Sequence, residues 1–304
     1  MKKIGNLVKR NMLVFGRDRA AVFFSVLSML IVLGLMILFL GDMNSSNIVE
    51  ALEQFGGNRN PEEDKTNADY LIQVWTLAGI LLSNSVTVTM TVIGGMIEDE
   101  TKNRLASFYV TPVKRIQIAL GYVISAWSIG VIMCVITLAA AQMYLWLSGQ
   151  TVLTLLDCVE LLGMIVLNTF LYAALAYFLA LFVHSESAWS GILTVIGTLV
   201  GFVGGIYLPM SMIPEKVADI LKCFPFLHGA AMMRSICTKQ AVETTFAGLP
   251  TEVAEGFRES MGITILFDGT EVTLSMQITY LLTLSVLVIG MATLVSSKRA
   301  VRDR

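Results

Sequence analysis

Charged residues are scarce in this chain: they make up 14% of its 304 residues, against 55% hydrophobic, whereas a soluble domain carries about a quarter charged residues. The shortage is uneven. Apolar blocks of roughly 20 residues or more, the length that a bilayer core of about 30 Å asks of a helix, alternate with short charged stretches. The composition therefore points to a polytopic helical membrane protein and away from a large soluble core. The apolar runs are continuous and do not alternate at period two, which argues against a β-barrel. The net charge of −2 matters less than where the charges fall.

Other scarcities narrow the chemistry. The four cysteines, Cys134, Cys158, Cys223 and Cys237, form no CxxC pair, so neither a zinc site nor a thioredoxin motif has support. Cys134 and Cys158 sit in or beside apolar runs and read as packing residues. Cys223 and Cys237 share one polar stretch; a disulfide there is open if that stretch faces an oxidising space, against the plainer alternative of two free thiols. The two histidines, His184 and His228, lack metal spacing. There is no GxxxxGK[ST] phosphate loop and no GxSxG elbow. The chain is thus expected to be no enzyme and to bind no cofactor itself. No cleavable leader is evident: the first apolar run begins near Ala21, without a small-residue cleavage site behind it.

Six candidate spans are present, at about residues 21–41, 71–97, 117–147, 157–183, 189–208 and 278–296. Their orientation follows from lysine and arginine. The N-terminal segment carries Lys2, Lys3, Lys9, Arg10, Arg17 and Arg19; the loop between spans two and three carries Lys102, Arg104, Lys114 and Arg115; the tail carries Lys298, Arg299, Arg302 and Arg304. These three segments hold fourteen of the 21 basic residues and lie on one side, which is read as cytoplasmic. The opposite loops, 42–70 and 209–277, are acidic, with Glu50, Glu53, Glu62, Glu63, Asp64 and Asp69 in the first and Glu252, Glu255 and Glu259 in the second. Both termini are then expected inside a plasma membrane, and a bacterial one is the expected setting. In residues 1–20, Ile4, Leu7, Val8, Met12 and Phe15 recur at helical spacing among basic residues, the pattern of a helix lying in the headgroup plane. A short soluble helix or a basic arm is the plainer alternative.

Three segments are candidates for function. In the inner loop 98–116, Glu98, Asp99 and Glu100 suit a helix N-terminus, where the dipole is positive. Leu105, Phe108 and Tyr109 then share one helical face, and Thr111-Pro112 ends or kinks the helix. Such a piece can pass force from a docked soluble partner into two membrane helices; an ordinary charged connector is the plainer alternative. In the second segment, Gly204, Gly205, Pro209 and Pro214 break span five. The chain stays apolar through Pro225 to Arg234, so a re-entrant hairpin packed on protein is expected, with an extracellular loop as the alternative. Span two carries Ser83, Asn84, Ser85, Thr87, Thr89 and Thr91, which mark either helix packing or a solvated path. Gly94-Gly95 just below permits close helix approach. No span has an acid at its centre, which argues against a proton- or sodium-coupled carrier. A stand-alone channel, a secondary carrier or a non-transporting assembly factor stays open on these residues alone.

The N-terminal helix, the charged loop Glu98–Arg115, the stretch Gly204–Pro214 and the stretch Pro225–Arg234 together resemble the permease subunits of type 2 ABC exporters over most of the chain. The inner loop, ending Thr111-Pro112-Val113-Lys114-Arg115, looks like that family's coupling helix, although Asn103-Arg104 stands where the family often has Gly-Thr. The resemblance implies an all-α membrane fold of six transmembrane helices, with an N-terminal interfacial helix, a cytoplasmic coupling helix and an outer re-entrant hairpin before the last helix. It implies a single permease domain over 1–304 that pairs with a second copy or a paralogue in membrane lipid and touches no nucleic acid. A cytoplasmic ABC ATPase, carrying ATP and magnesium, would dock on Glu98, Asp99, Glu100, Leu105, Phe108, Tyr109, Thr111 and Pro112. Gly204, Gly205, Pro209, Pro214, Pro225 and Arg234 would form the outer gate, and Ser83, Asn84, Thr87 and Thr91 the pathway or dimer contact. The sizeable outer loops fit a drug, peptide or lipid-like substrate better than the polysaccharide or sodium exporters of the same family.

Overall fold

The computed structural model describes residues 2–35, 41–54, 59–104, 115–203, 209–267 and 269–302. Its organising element is a helix far longer than a bilayer needs. Helices α1 (Lys2–Arg17), α2 (Arg19–Leu35) and α3 (Gly41–Gln54) precede α4, which runs from Pro61 to Thr101 over 41 residues. At a rise of 1.5 Å per residue it is about 60 Å long, twice the hydrocarbon thickness of about 30 Å. Its start is dictated locally. The Asn60 side chain accepts from the Glu62 amide at 3.2 Å, Pro61 occupies the first turn, and Glu62, Glu63 and Asp64 meet the positive end of the dipole. The second span therefore begins ten residues before the expected 71, and most of the expected loop 42–70 is helical.

The far end of α4 is equally specific. Asn103 has a φ of 57°; its amide bonds to the Glu100 carbonyl at 3.0 Å, and the Arg104 amide bonds to the Asp99 carbonyl at 2.8 Å. That pair of bonds around a left-handed residue is a Schellman ending, and asparagine is the residue after glycine that tolerates it. Asn103→Gly is expected to leave stability within ~0.5 kcal/mol. Asn103→Val should cost about 1–2 kcal/mol, read as a lower melting temperature of the purified protein.

Beyond α4 come α5 (Arg115–Leu147), α6 (Leu155–Ala180) and α7 (Glu186–Val203). A capping box of Thr154 and Asp157 starts α6. A single 3₁₀ turn (Met210–Met212) leads to α8 (Glu215–Lys222), α9 (Pro225–Cys237), α10 (Lys239–Thr245) and α11 (Thr251–Ser260). Strands β1 (Leu266–Phe267) and β2 (Thr270–Glu271) pair antiparallel, Leu266 opposite Glu271, before the closing α12 (Leu274–Arg302). Among the described residues, four helices are long and apolar enough to cross a membrane: Pro61–Thr101, Ile116–Leu147, Leu155–Ala180 and Leu274–Ser296. The apolar part of α7 is shorter, and α2 has 17 described residues.

Packing separates the helices by role. Helix α4 touches α2, α3, α5, α6, α7, α9 and α10, and the apolar window of α4 is 72% buried against 22% for that of α12. Leu282, Val286, Leu287 and Met291 of α12 stay exposed. The thirteen-residue α9 is the reverse case, with every residue from Leu227 to Arg234 buried. It packs on α4, α6 and α12, and at about 20 Å it is too short to span a bilayer.

Two details bear on the N-terminal helix and the cysteine pair. One residue of the apolar stripe of α1, Leu7, is buried against α5, where a Cβ on Gly121 would come within 2.9 Å of the Leu7 Cβ. It is Leu13 and Val14 that remain exposed. The other members of the stripe, Ile4, Val8, Met12 and Phe15, are half-buried. Cys223 and Cys237 are both free, one exposed and one buried. They lie at opposite ends of α9, about 20 Å apart along its axis, well beyond the ~6 Å that a disulfide bridges.

Candidate functional site

At the Thr101 end of α4 a knot of charge joins four helices. Asp99, with a side chain 5% exposed, takes a two-pronged bond from Arg10 of α1, one arm at 2.9 Å. Tyr122 of α5 donates to the same carboxylate at 2.6 Å, and Arg104 reaches it at 3.4 Å. Glu98 pairs with Lys102 at 2.6 Å. Glu100 lies 3.6 Å from His184, and Thr101 donates to Glu186 at the start of α7 at 2.9 Å. The bond to Asp99 also holds the Arg10 guanidinium above its ordinary pKa.

This arrangement corrects the expected placement of Glu98, Asp99 and Glu100. They occupy the last turn of α4 rather than the first turn of a new helix. Carboxylates at a C-terminal dipole end cost up to about 1 kcal/mol each when exposed. Arg10, Lys102 and Arg104 outweigh that penalty, because charge-assisted bidentate bonds at low exposure are the stronger term. The segment that follows, with Leu105, Phe108, Tyr109, Thr111 and Pro112, lies outside the described residues.

The polar residues of α4 divide by face. Asn84 is buried and donates to Thr137 of α5 at 2.7 Å, so it packs two helices together. Ser83, Thr87 and Thr91 are half-buried in one row four residues apart. Thr87 and Thr91 bond back to the carbonyls of Ser83 and Thr87, at 2.9 and 2.8 Å, which satisfies them without a partner helix. Gly94 performs the close approach expected of it: Trp189 of α7 lies over it and donates to the Met90 carbonyl at 3.2 Å. Beside that contact, α7 exposes Ser190, Gly191, Thr194 and Thr198, small and polar residues on an otherwise apolar helix.

At the Pro61 end, α9 is clamped from several sides. Arg234 is 0% exposed; its guanidinium carbon lies 4.3 Å from the centroid of the Trp75 ring. Its Nη1 donates to the carbonyls of Met261 and Gly262 at 3.3 and 3.4 Å, and Trp75 donates to the same Met261 carbonyl at 2.9 Å. The Trp75 face and the carbonyls that accept from the guanidinium offset part of the cost of burying its charge. The prolines do not interrupt helices here: Pro209 precedes the 3₁₀ turn, Pro214 caps α8 and Pro225 opens α9. Gly204 and Gly205 lie outside the described residues. Arg59 closes this end, bonded to Asp64 at 2.8 Å and to the carbonyls of Thr245 and Ala247 at 2.9 and 3.1 Å.

Sequence reasoning missed Gly229, Tyr172 and Arg59. A Cβ on Gly229 would meet Leu82, Tyr172 and Asn168 inside 3.0 Å, so α9 crosses α4 and α6 at backbone distance. Tyr172 stacks on Phe226 at 5.4 Å and donates to the Pro225 carbonyl at 3.2 Å. A glycine within an apolar helix was the available signal.

A comparison with curated proteins finds no match. A family model described as ABC-2 family transporter protein matches residues 54–295, which takes in α4, the charged end that binds α1, the buried α9 and most of α12. With the membrane-length helices and the match over most of its length, the chain belongs to the ABC-2 family of transporter proteins, as a membrane permease subunit of an ABC transporter.

Proposed function

We propose that this permease exports a drug, peptide or lipid-like molecule, driven by an ABC ATPase on a separate polypeptide that docks against residues 98–116. The observation that carries this is the Asp99 knot. Force applied next to it would reach α1, α4, α5 and α7 at once, through bonds of 2.6–2.9 Å. In this reading α2 and α7 complete six spans, both termini and the Thr101 end of α4 are cytoplasmic, and the Pro61 end with α9 is the outer gate. The membrane is a bacterial plasma membrane.

The row Ser83, Thr87, Thr91 and the small polar face of α7 then meet a second permease, identical or paralogous, across the export path. Small residues in such a row let a second helix approach closely. Two measurements on a cysteine-free background test the reading. Lys102→Cys is expected to react with an impermeant maleimide only from the cytoplasmic side, and Lys239→Cys only from outside. Phe108→Asp is expected to abolish ATP-driven transport and co-purification with the ATPase, without changing the melting temperature. Labelling of Lys102→Cys from outside intact cells would overturn the orientation, and unaffected transport in Phe108→Asp would overturn the docking.

A further inference from the structure

Two cavities lie side by side at the Pro61 end, of about 470 Å³ and about 300 Å³, and both have Ser211, Gly256 and Ser260 in their walls. Their chemistry differs. The smaller is apolar, lined by Ile48 and Ala51 of α3, Ile72 of α4, Phe246, and Val253 and Phe257 of α11. The larger is polar at its mouth, with Asp219, Lys222, Glu259 and Thr264. From these walls we propose that the pair forms one binding cleft for a cationic amphiphile of drug size, its apolar ring system or short tail in the smaller lobe and its single positive head in the larger. Volumes of roughly 300–1,000 Å³, mostly apolar with a few placed polar groups, are the ordinary form of a small-molecule site.

The sign of the head follows from the charges. Lys222 is paired with Asp219 at 3.0 Å, so these two cancel. Glu259 remains as the one lining charge without an ion-pair partner among the described residues; Arg234 lines neither lobe, and its Nη1 is taken up by the Met261 and Gly262 carbonyls. Glu252 stands about 20° round α11 from Glu259 and Glu255 about 40° from it, whereas Arg258, the i+3 neighbour of Glu255, lies about 100° from Glu259.

The dividing ridge is built from the core outward. Met261 lines the apolar lobe and Gly262 the polar one, and buried Arg234 holds the carbonyls of both. Gly262 has a φ of +62°, and a Cβ there would come within 2.8 Å of Met210, so the 3₁₀ turn sits directly on the ridge. A cleft whose partition hangs from a fully buried cation is preorganised, which lowers the ordering cost of binding.

The test uses the full chain alone in nanodiscs of zwitterionic lipid, so its outcome is separate from whether an ATPase docks. A dansyl-octylammonium probe and a dansyl-octylsulfonate of the same tail are titrated by fluorescence polarisation. Saturable binding of the ammonium, at least tenfold tighter than the sulfonate, is expected. Glu259→Gln should erase most of that preference. Gly256→Trp, which enters open space in the shared wall, should remove saturable binding of both probes; Ser211→Trp repeats this from the opposite wall if the first variant fails to fold. Unsaturable partitioning that none of the variants changes, or a preference for the sulfonate, would overturn the proposal.

Discussion

Replacing Asp99 by Asn is expected to destabilise the purified permease by about 3 kcal/mol, the usual scale for breaking a buried ion pair by removing one partner. Asn keeps the shape and can still accept from Tyr122, but it cannot hold Arg10 with charge, and Arg10 has a side chain 32% exposed and rehydrates in part. Arg10→Met should cost as much or more, since it leaves a carboxylate 5% exposed at the unfavourable end of a helix dipole. The double variant should lose clearly less than the sum of the two, with a coupling of at least ~1 kcal/mol in a double-mutant cycle of chemical denaturation. Strict additivity would show that α1 and α4 are not joined through this pair. In transport assays with the ATPase present, Asp99→Asn should lower substrate moved per ATP hydrolysed more than it lowers hydrolysis, because the knot transmits motion and takes no part in the chemistry.

A comparable loss is expected from Gly229→Val, for a reason unrelated to charge. Helix α9 crosses α4 and α6 so closely that even a Cβ would lie 2.9 Å from the Leu82 side chain and the Tyr172 hydroxyl. Overpacking of this kind costs about 1–3 kcal/mol and occasionally more. The high end applies here, because a β-branched side chain adds two methyls where one carbon does not fit. The added bulk must push α9 away from Tyr172, whose stacking on Phe226 is worth about 1 kcal/mol. A drop in melting temperature with slower intrinsic quenching by a soluble quencher would contradict the crossing geometry; a drop with faster quenching of Trp75, which lies under Arg234, is the expected pattern. Gly229→Ala should lie between wild type and Val.

The first variant probes the end of α4 and the second its middle, at Leu82; what could be foreseen of the two ends of α4 differs. The start of α4 was legible in principle: asparagine, proline and three acids in a row from Asn60 to Asp64 are a helix start by capping, proline and dipole rules together. Hydropathy alone, which sees only the apolar part, placed the span ten residues late. The other end carried a misleading sign. Three acids favour a helix N-terminus on average, and only the arrival of Arg10, eighty-nine residues away in the chain, makes them suitable for the last turn. The stripe of α1 shows the same division: its face was evident from spacing, its partner was not, because period identifies which side is apolar and says nothing of what covers it.

What this chain's sequence determined by itself is its solvent and its helices. Continuous apolar runs require a bilayer and internally bonded backbone, local caps at Asn60, Asn103 and Thr154 set where helices stop and start, and the basic residues supply the expected orientation. Tertiary structure alone decided which helix is the core, which buried groups meet and where a ligand can lodge. Those are long-range facts: Arg234 against Trp75, Gly229 against Tyr172 and Arg59 against Thr245 join residues dozens to hundreds of positions apart, and no local propensity encodes a contact whose energy exists only after the chain has folded.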